Sequence, residues 1–123
     1  MVCFGKYCYS FLKKNKEFYV KLYKHKKFDI TNKKDVYQII SNNDYIINCA
    51  AYTNVDKAES NSILCNEING NALSYLAYEI NKQRKKLIHI SSDFVYGNIH
   101  NKNNYEELFE DDILNPINVY RKF

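Results

Sequence analysis

The sequence predicts an α/β protein built on a parallel sheet that helices cover on both faces. Three observations carry this. Tyr45 to Ala50 is a nearly continuous apolar run, which suits a strand buried on two sides rather than one. Lys86 to Ser91, carrying Leu87, Ile88 and Ile90, reads as a further strand along the chain. The stretch between them has helical periodicity, so the two strands are joined by a crossover and run parallel.

The elements follow in order. Residues 6–16 suit a short helix with Tyr7, Phe11 and Leu12 on one side. Phe18 to Tyr23 reads as a strand from its aromatic and β-branched content. Thr31 or Asn32 is positioned to cap a helix to about Ser41, with Val36, Ile39 and Ile40 at helical spacing. After the strand at Tyr45 to Ala50, a longer helix from Ser60 to Lys82 presents Ile63, Leu64, Ile68, Ala72, Leu73, Leu76, Ala77 and Ile80 as its buried stripe. Lys86 to Ser91 is the third strand. Residues 97–116 read as a loop, and Pro116 fits the first turn of a final helix. Such a fold opens on its central strand, yet Met1-Val2-Cys3-Phe4 is barely long enough for one.

Composition bounds the function. The 123 residues make one domain with a real core, and 46% apolar with 26% charged residues is ordinary for a soluble globular protein. Net charge is +4, with lysines crowding the first third and an acidic patch at Glu106, Glu107, Glu110, Asp111 and Asp112. Lysines interleaved with Tyr and Phe raise the question of nucleic acid, but they follow no nucleic-acid motif and read as a solvated face, some of them near a cofactor phosphate. The 4 cysteines have neither C-x-x-C spacing nor a secretory context, so reduced thiols and no metal site are expected. No stretch approaches a membrane span, and the expectation is a cytoplasmic protein.

In a doubly wound sheet, ligands bind beyond the C-terminal ends of the strands. Ala50-Ala51-Tyr52-Thr53 follows one strand, and its small residues let a flat ligand approach the backbone. Ser92 and Asp93 put a hydroxyl and a carboxylate after another. Gly5 is a lone turn glycine before a helix. Asp29-Ile30-Thr31 is by itself an ordinary capping turn. Asp56 and Glu59 suit a helix N-terminus as dipole complements, and Asn69 on its own reads as a surface residue.

Taken in order, Ile46 to Glu59, Leu87 to Gly97 and Asn115 to Lys122 resemble the extended short-chain dehydrogenase/reductases, and most closely the dTDP-4-dehydrorhamnose reductase family. The resemblance covers about residues 5–122 and implies a partial NAD(P)-binding Rossmann-like domain over residues 1–123. The implied cofactor is NADPH or NADH. Gly5 then belongs to the phosphate turn, with Cys8 where its last glycine stands in the family. Asp29 and Ile30 lie against the adenine, and Ala50, Ala51, Tyr52 and Thr53 against the nicotinamide ribose. Asn69 falls near the active site. Ser92 and Asp93 meet a nucleotide-sugar substrate, and Ser92 and Tyr120 are the catalytic hydroxyl and phenol, Tyr120 also touching the cofactor.

The chain departs from this pattern in five ways. The first strand is short, and the phosphate turn keeps one glycine. Arg121 stands where the family has a small residue, and the lysine that lowers the tyrosine's pKa one helical turn beyond Tyr120 falls past Phe123. The sugar-binding lobe is also absent. The expectation is therefore reductase ancestry, reduction of dTDP-4-dehydro-L-rhamnose to dTDP-L-rhamnose, in a decayed or split form inactive alone. The alternative is a non-catalytic cofactor-binding or regulatory module of the same family.

Overall fold

The computed structural model describes residues 4–96 and 109–114. The fold is α/β with a Rossmann-like parallel sheet. Helix α1 spans Phe4–Leu12, α2 Lys33–Ser41, strand β1 Tyr45–Asn48, α3 Val55–Ser60, α4 Ser62–Asn66, α5 Ala72–Lys82 and strand β2 Lys86–His89. A π-helical segment, Glu67–Asn71, joins α4 to α5, and a 3-10 turn, Asp93–Tyr96, follows β2. The strands pair in parallel, Tyr45 opposite Lys86 and Asn48 opposite His89. The ladder runs one step on, with the Ile90 N–H donating to the Asn48 carbonyl at 3.3 Å.

Local chemistry sets these elements. Asn32 caps α2, its Oδ1 accepting from the Lys34 N–H at 2.9 Å and the Asp35 N–H at 3.4 Å. One turn apart on α2, Val36 and Ile40 are buried against Leu76 and Ile80 of α5, and Ile30, Ile46, Leu73, Tyr75 and Leu87 pack around them. This cluster holds both helices to the face of the sheet carrying Ile46 and Leu87. Helix α5 ends in a Schellman motif: the Lys85 N–H donates to the Ile80 carbonyl at 2.9 Å and the Arg84 N–H to the Asn81 carbonyl at 3.1 Å. Arg84 takes φ 54° there, in the left-handed region. The reversal brings the Lys86 N–H to the Asp44 carbonyl at 3.0 Å, which starts the parallel register.

Several expectations are corrected. Phe18 to Tyr23 forms no strand; it is irregular chain, tied to the end of α2 by an Asn43 Nδ2 to Tyr23 Oη bond of 2.9 Å. A strand exists only where a neighbour shares its ladder, and among the described residues no segment pairs with it. Of the first strand expected over residues 1–4, residues 1–3 lie outside those described and Phe4 opens α1 instead. The long helix from Ser60 to Lys82 is broken at Asn61, whose Nδ2 donates back to the Lys57 carbonyl at 3.2 Å. The π segment then adds a residue to the turn and rotates what precedes it out of phase with α5. Ile63 and Leu64 are consequently exposed, and Cys65 is the buried residue of α4. Ala77 is exposed as well, on the outer side of α5.

The strands are shorter than the apolar runs, ending at Asn48 and His89. The opposite face of the sheet is only partly covered among the described residues, with Ile47, Ile88 and Ile90 at 38%, 52% and 40% exposure. Residues 97–108, Pro116, Tyr120 and Arg121 lie outside the described residues. Among those described, no helix is long and apolar enough to cross a membrane, and no cluster of His, Cys, Asp and Glu is disposed to hold a metal.

Candidate functional site

Parallel pairing in register brings the C-terminal ends of β1 and β2 to one edge. The segment Ala50 to Thr53 therefore leaves the sheet beside the segment that holds Ser92 and Asp93. Ala50, Ala51 and Thr53 are exposed, and Tyr52 and Ser92 are half-buried. Asp93 opens the 3-10 turn, and the Val95 N–H donates to the Ser92 carbonyl at 3.4 Å. Gly5, the second residue of α1, seats the start of that helix against the same edge. A Cβ built on Gly5 comes within 3.3 Å of the Cys49 Cβ, closer than side chains comfortably sit. The helix thus approaches the end of β1 as closely as a residue without a side chain permits.

Two asparagines hold the turn after β1. Asn48, 7% exposed, accepts from the Ala50 N–H through Oδ1 at 3.0 Å, while its Nδ2 faces the His89 Nδ1 at 3.2 Å. Asn69 grips the Tyr52 backbone on both sides of its Cα. Its Oδ1 accepts from the Tyr52 N–H at 2.8 Å and its Nδ2 donates to the Tyr52 carbonyl at 3.2 Å. The same Nδ2 lies 3.7 Å from the Cys65 Sγ. Asn69 sits in the π segment, a local widening that recurs at functional sites. Burial, then the charge of Glu59, pushes the Cys65 thiol up, which leaves it a packing residue rather than a nucleophile. Asn69 is thus a positioning residue of the turn.

Asp29 and Ile30 are placed separately, in the turn that enters α2. The Asp29 Oδ1 accepts from both the N–H and the Oγ1 of Thr31 at 2.9 Å, and these bonds hold its carboxyl below the usual value. Ile30 packs on the core. That is the capping-turn chemistry, and it leaves backbone rather than the Ile30 side chain to meet a ligand. A cleft lined by Lys21, Tyr23, Phe28, Gln38, Ile39 and Asn42 contains none of the candidate residues. Tyr120 lies outside the described residues.

Neither Asn48 nor His89 is among the site residues that the sequence suggests. The available signal was a polar side chain closing an apolar strand, which marks a turn that needs a partner.

The family described as the RmlD substrate binding domain matches residues 5–122. The dTDP-4-dehydrorhamnose reductase of Mycolicibacterium smegmatis is 39% identical over 92 residues, 75% of this chain and 27% of that protein. The enzyme of the same name from Aggregatibacter actinomycetemcomitans is 36% identical over 96 residues, 76% of this chain and 31% of its own. Among solved structures, the dTDP-4-dehydrorhamnose reductase of Bacillus anthracis in complex with NADP superimposes with a TM-score of 0.77 at 32% identity, covering 86% of this chain and 37% of that one. A Clostridium acetobutylicum counterpart gives 0.80 at 30% identity, covering 92% and 40%. The chain therefore spans about a third of the length of the relatives it matches.

Proposed function

The chain belongs to the RmlD substrate binding domain family, and from that premise we propose that residues 1–123 are a partial NAD(P)-binding domain of a dTDP-4-dehydrorhamnose reductase. The carrying observation is the shared edge, where the small exposed residues Ala50 and Ala51 stand beside Ser92. A dinucleotide fits there because the backbone is accessible and α1 opens at the same edge, with Gly5 so near Cys49 that a Cβ there would be tight. Gly5 would adjoin the pyrophosphate, Asp29 and Ile30 the adenine, and Ala50, Ala51, Tyr52 and Thr53 the nicotinamide half. The cofactor, NADPH or NADH, supplies the hydride.

The substrate in this reading is a nucleotide sugar with a ketone at C4. Ser92 donates a hydrogen bond to the ketone oxygen and Asp93 orients the sugar. Tyr120 gives its phenolic proton to the same oxygen as the alcohol forms. An unassisted phenol, with a pKa of about 10, is poorly matched to that transfer near neutrality. The assisting lysine and the sugar lobe of the family fall outside these 123 residues. A cytoplasmic location follows, where reduced nicotinamide is at hand.

Two measurements test the reading. Titrating NADP+ into the 15N-labelled chain should shift the amides of Ala50, Ala51, Thr53 and Ser92, with an affinity weaker than about 1 μM, or about 8 kcal/mol. Shifts confined to other surfaces, or none at millimolar cofactor, would overturn the assignment. Sugar-dependent NADPH oxidation by the 123-residue chain, abolished by Tyr120→Phe, would show instead that the chain is sufficient for catalysis.

A further inference from the structure

We propose that Asn48 and His89 form a pH-sensitive positioning pair, in which protonation of His89 releases the Ala50 N–H and loosens the turn from Ala50 to Thr53. That this turn faces a cofactor rests on the reading above; the release itself does not.

The geometry allows one arrangement of the neutral pair. The Asn48 Oδ1 is occupied by the Ala50 N–H, so the group Asn48 offers His89 is its NH2. The His89 Nδ1 must therefore accept, which places the ring proton on Nε2. In the imidazolium both ring nitrogens carry protons, and Nδ1–H then faces a second donor across 3.2 Å. Rotating the Asn48 amide by half a turn satisfies His89 but aims the NH2 at the Ala50 N–H. The exposed His89 can turn its imidazolium to water, which strips the NH2 of the 7%-exposed Asn48 of that acceptor and the amide of the contact that aims Oδ1 at the Ala50 N–H.

Among the described residues, no other charge acts on the His89 imidazole. The elements packed most closely on β2 are β1 and α5, whose titratable groups are Tyr45, Tyr75, Tyr78, Glu79 and Lys82; Lys86 lies on β2 itself, and Cys65 and Glu67 precede α5. None of them moves His89, and desolvation is the one cause holding its imidazole below the ordinary 6.5. Parallel register fixes the coupling, since Asn48 and His89 are direct partners across the ladder.

The test is a pH titration of the full 15N-labelled chain by NMR. At pH 7.5 the His89 ring should show a bare Nδ1 and a protonated Nε2. Between pH 8 and 5 the Ala50 amide should shift with the midpoint of the ring, and its protection factor, the exchange rate corrected for the intrinsic slowing of exchange with falling pH, should drop about five- to tenfold. Asn48→Asp should reverse the coupling, because a carboxylate accepts from both Ala50 and the imidazolium. His89 then titrates higher, and Ala50 stays protected when it does. An Ala50 amide indifferent to the His89 titration, or an Asn48→Asp chain behaving like the parent, overturns the proposal. If Asn48→Asp does not fold, His89→Phe decides, since an Ala50 titration surviving it is equally fatal. NADP+ titrations at pH 7.5 and 5.5 separate the two layers. Coupled release of Ala50 with unchanged affinity supports the pair and refutes the cofactor assignment.

Discussion

Replacing Asn69 with alanine should cost about 2 kcal/mol and free the Tyr52 peptide. Asn69 makes two hydrogen bonds to the Tyr52 backbone, one to each of the peptide groups that flank its Cα, at 2.8 Å to the N–H and 3.2 Å to the carbonyl. Each is worth about 0.5–1.5 kcal/mol net, and a buried group left unpaired costs about 1–3 kcal/mol. Tyr52 is only half-buried, so water recovers part of that loss and the lower half of the combined range applies. The comparison variant is Asn71→Ala in the same π segment, where one bond of 2.8 Å to the Glu67 Oε1 is lost on the exposed side; it should stay within about 0.5 kcal/mol. Urea midpoints give the stabilities. Amide exchange at Tyr52 gives the local effect, expected at about tenfold or more for each 1.4 kcal/mol lost. Equal stabilities of the two variants, together with unchanged exchange at Tyr52, would refute the clamp.

Three further outcomes are expected. Arg84→Gly should stabilise the fold by about 0.5–1 kcal/mol, because an L residue in the left-handed region costs about 1–2 kcal/mol and glycine's added chain entropy returns only part of it; a lower thermal midpoint would contradict the Schellman geometry. Ile40→Ala should cost about 2–5 kcal/mol in urea unfolding, since Ile40 is 0% exposed at the contact of α2 with α5, and a loss below about 1 kcal/mol would mean that contact is not the core. Acid should weaken the chain in two stages. His89 is depressed below 6.5 in the folded state, so its contribution is complete above that pH and is lost as pH falls through the folded value, and Asp29 acts likewise below 3.8. A urea midpoint that rises between pH 7 and 5 would contradict the sign.

What the sequence showed of the fold was whatever depends on near neighbours. Val36 and Ile40 one turn apart behind an asparagine cap specify α2 by themselves, and the two apolar runs specify strands whose crossover makes them parallel. Phe18 to Tyr23 has the composition of a strand, but composition only makes a strand possible, and among the described residues no ladder neighbour makes it actual. Ile63 and Leu64 fail for a different reason. Counting 3.6 residues per turn through Ser60 to Lys82 assumes one continuous helix. The bond from Asn61 back to Lys57 breaks it, and the π turn around Asn69 rotates the phase. Those positions satisfy the period and still point outward.

The site divides along the same line. Ala50, Ala51 and Ser92 were legible because they follow strands, and the parallel sheet carries both strand ends to one edge. Of the side chains that fix the backbone there, Asn69 alone is indicated, and by the family resemblance rather than by its spacing. An asparagine in a helix is ordinary, and what Asn69 does becomes clear only once its amide is seen to span both polar groups of Tyr52, distant in sequence. Asn48 and His89 become a pair only when the register sets them opposite each other. Strand ends are written in hydropathy, whereas the hydrogen bonds that shape them depend on register and helix phase. Substitutions at Asn48, Asn69 and His89 should accordingly alter the shape of the turn and leave the pairing of β1 with β2 in place, whereas a substitution at Ile40 should loosen both.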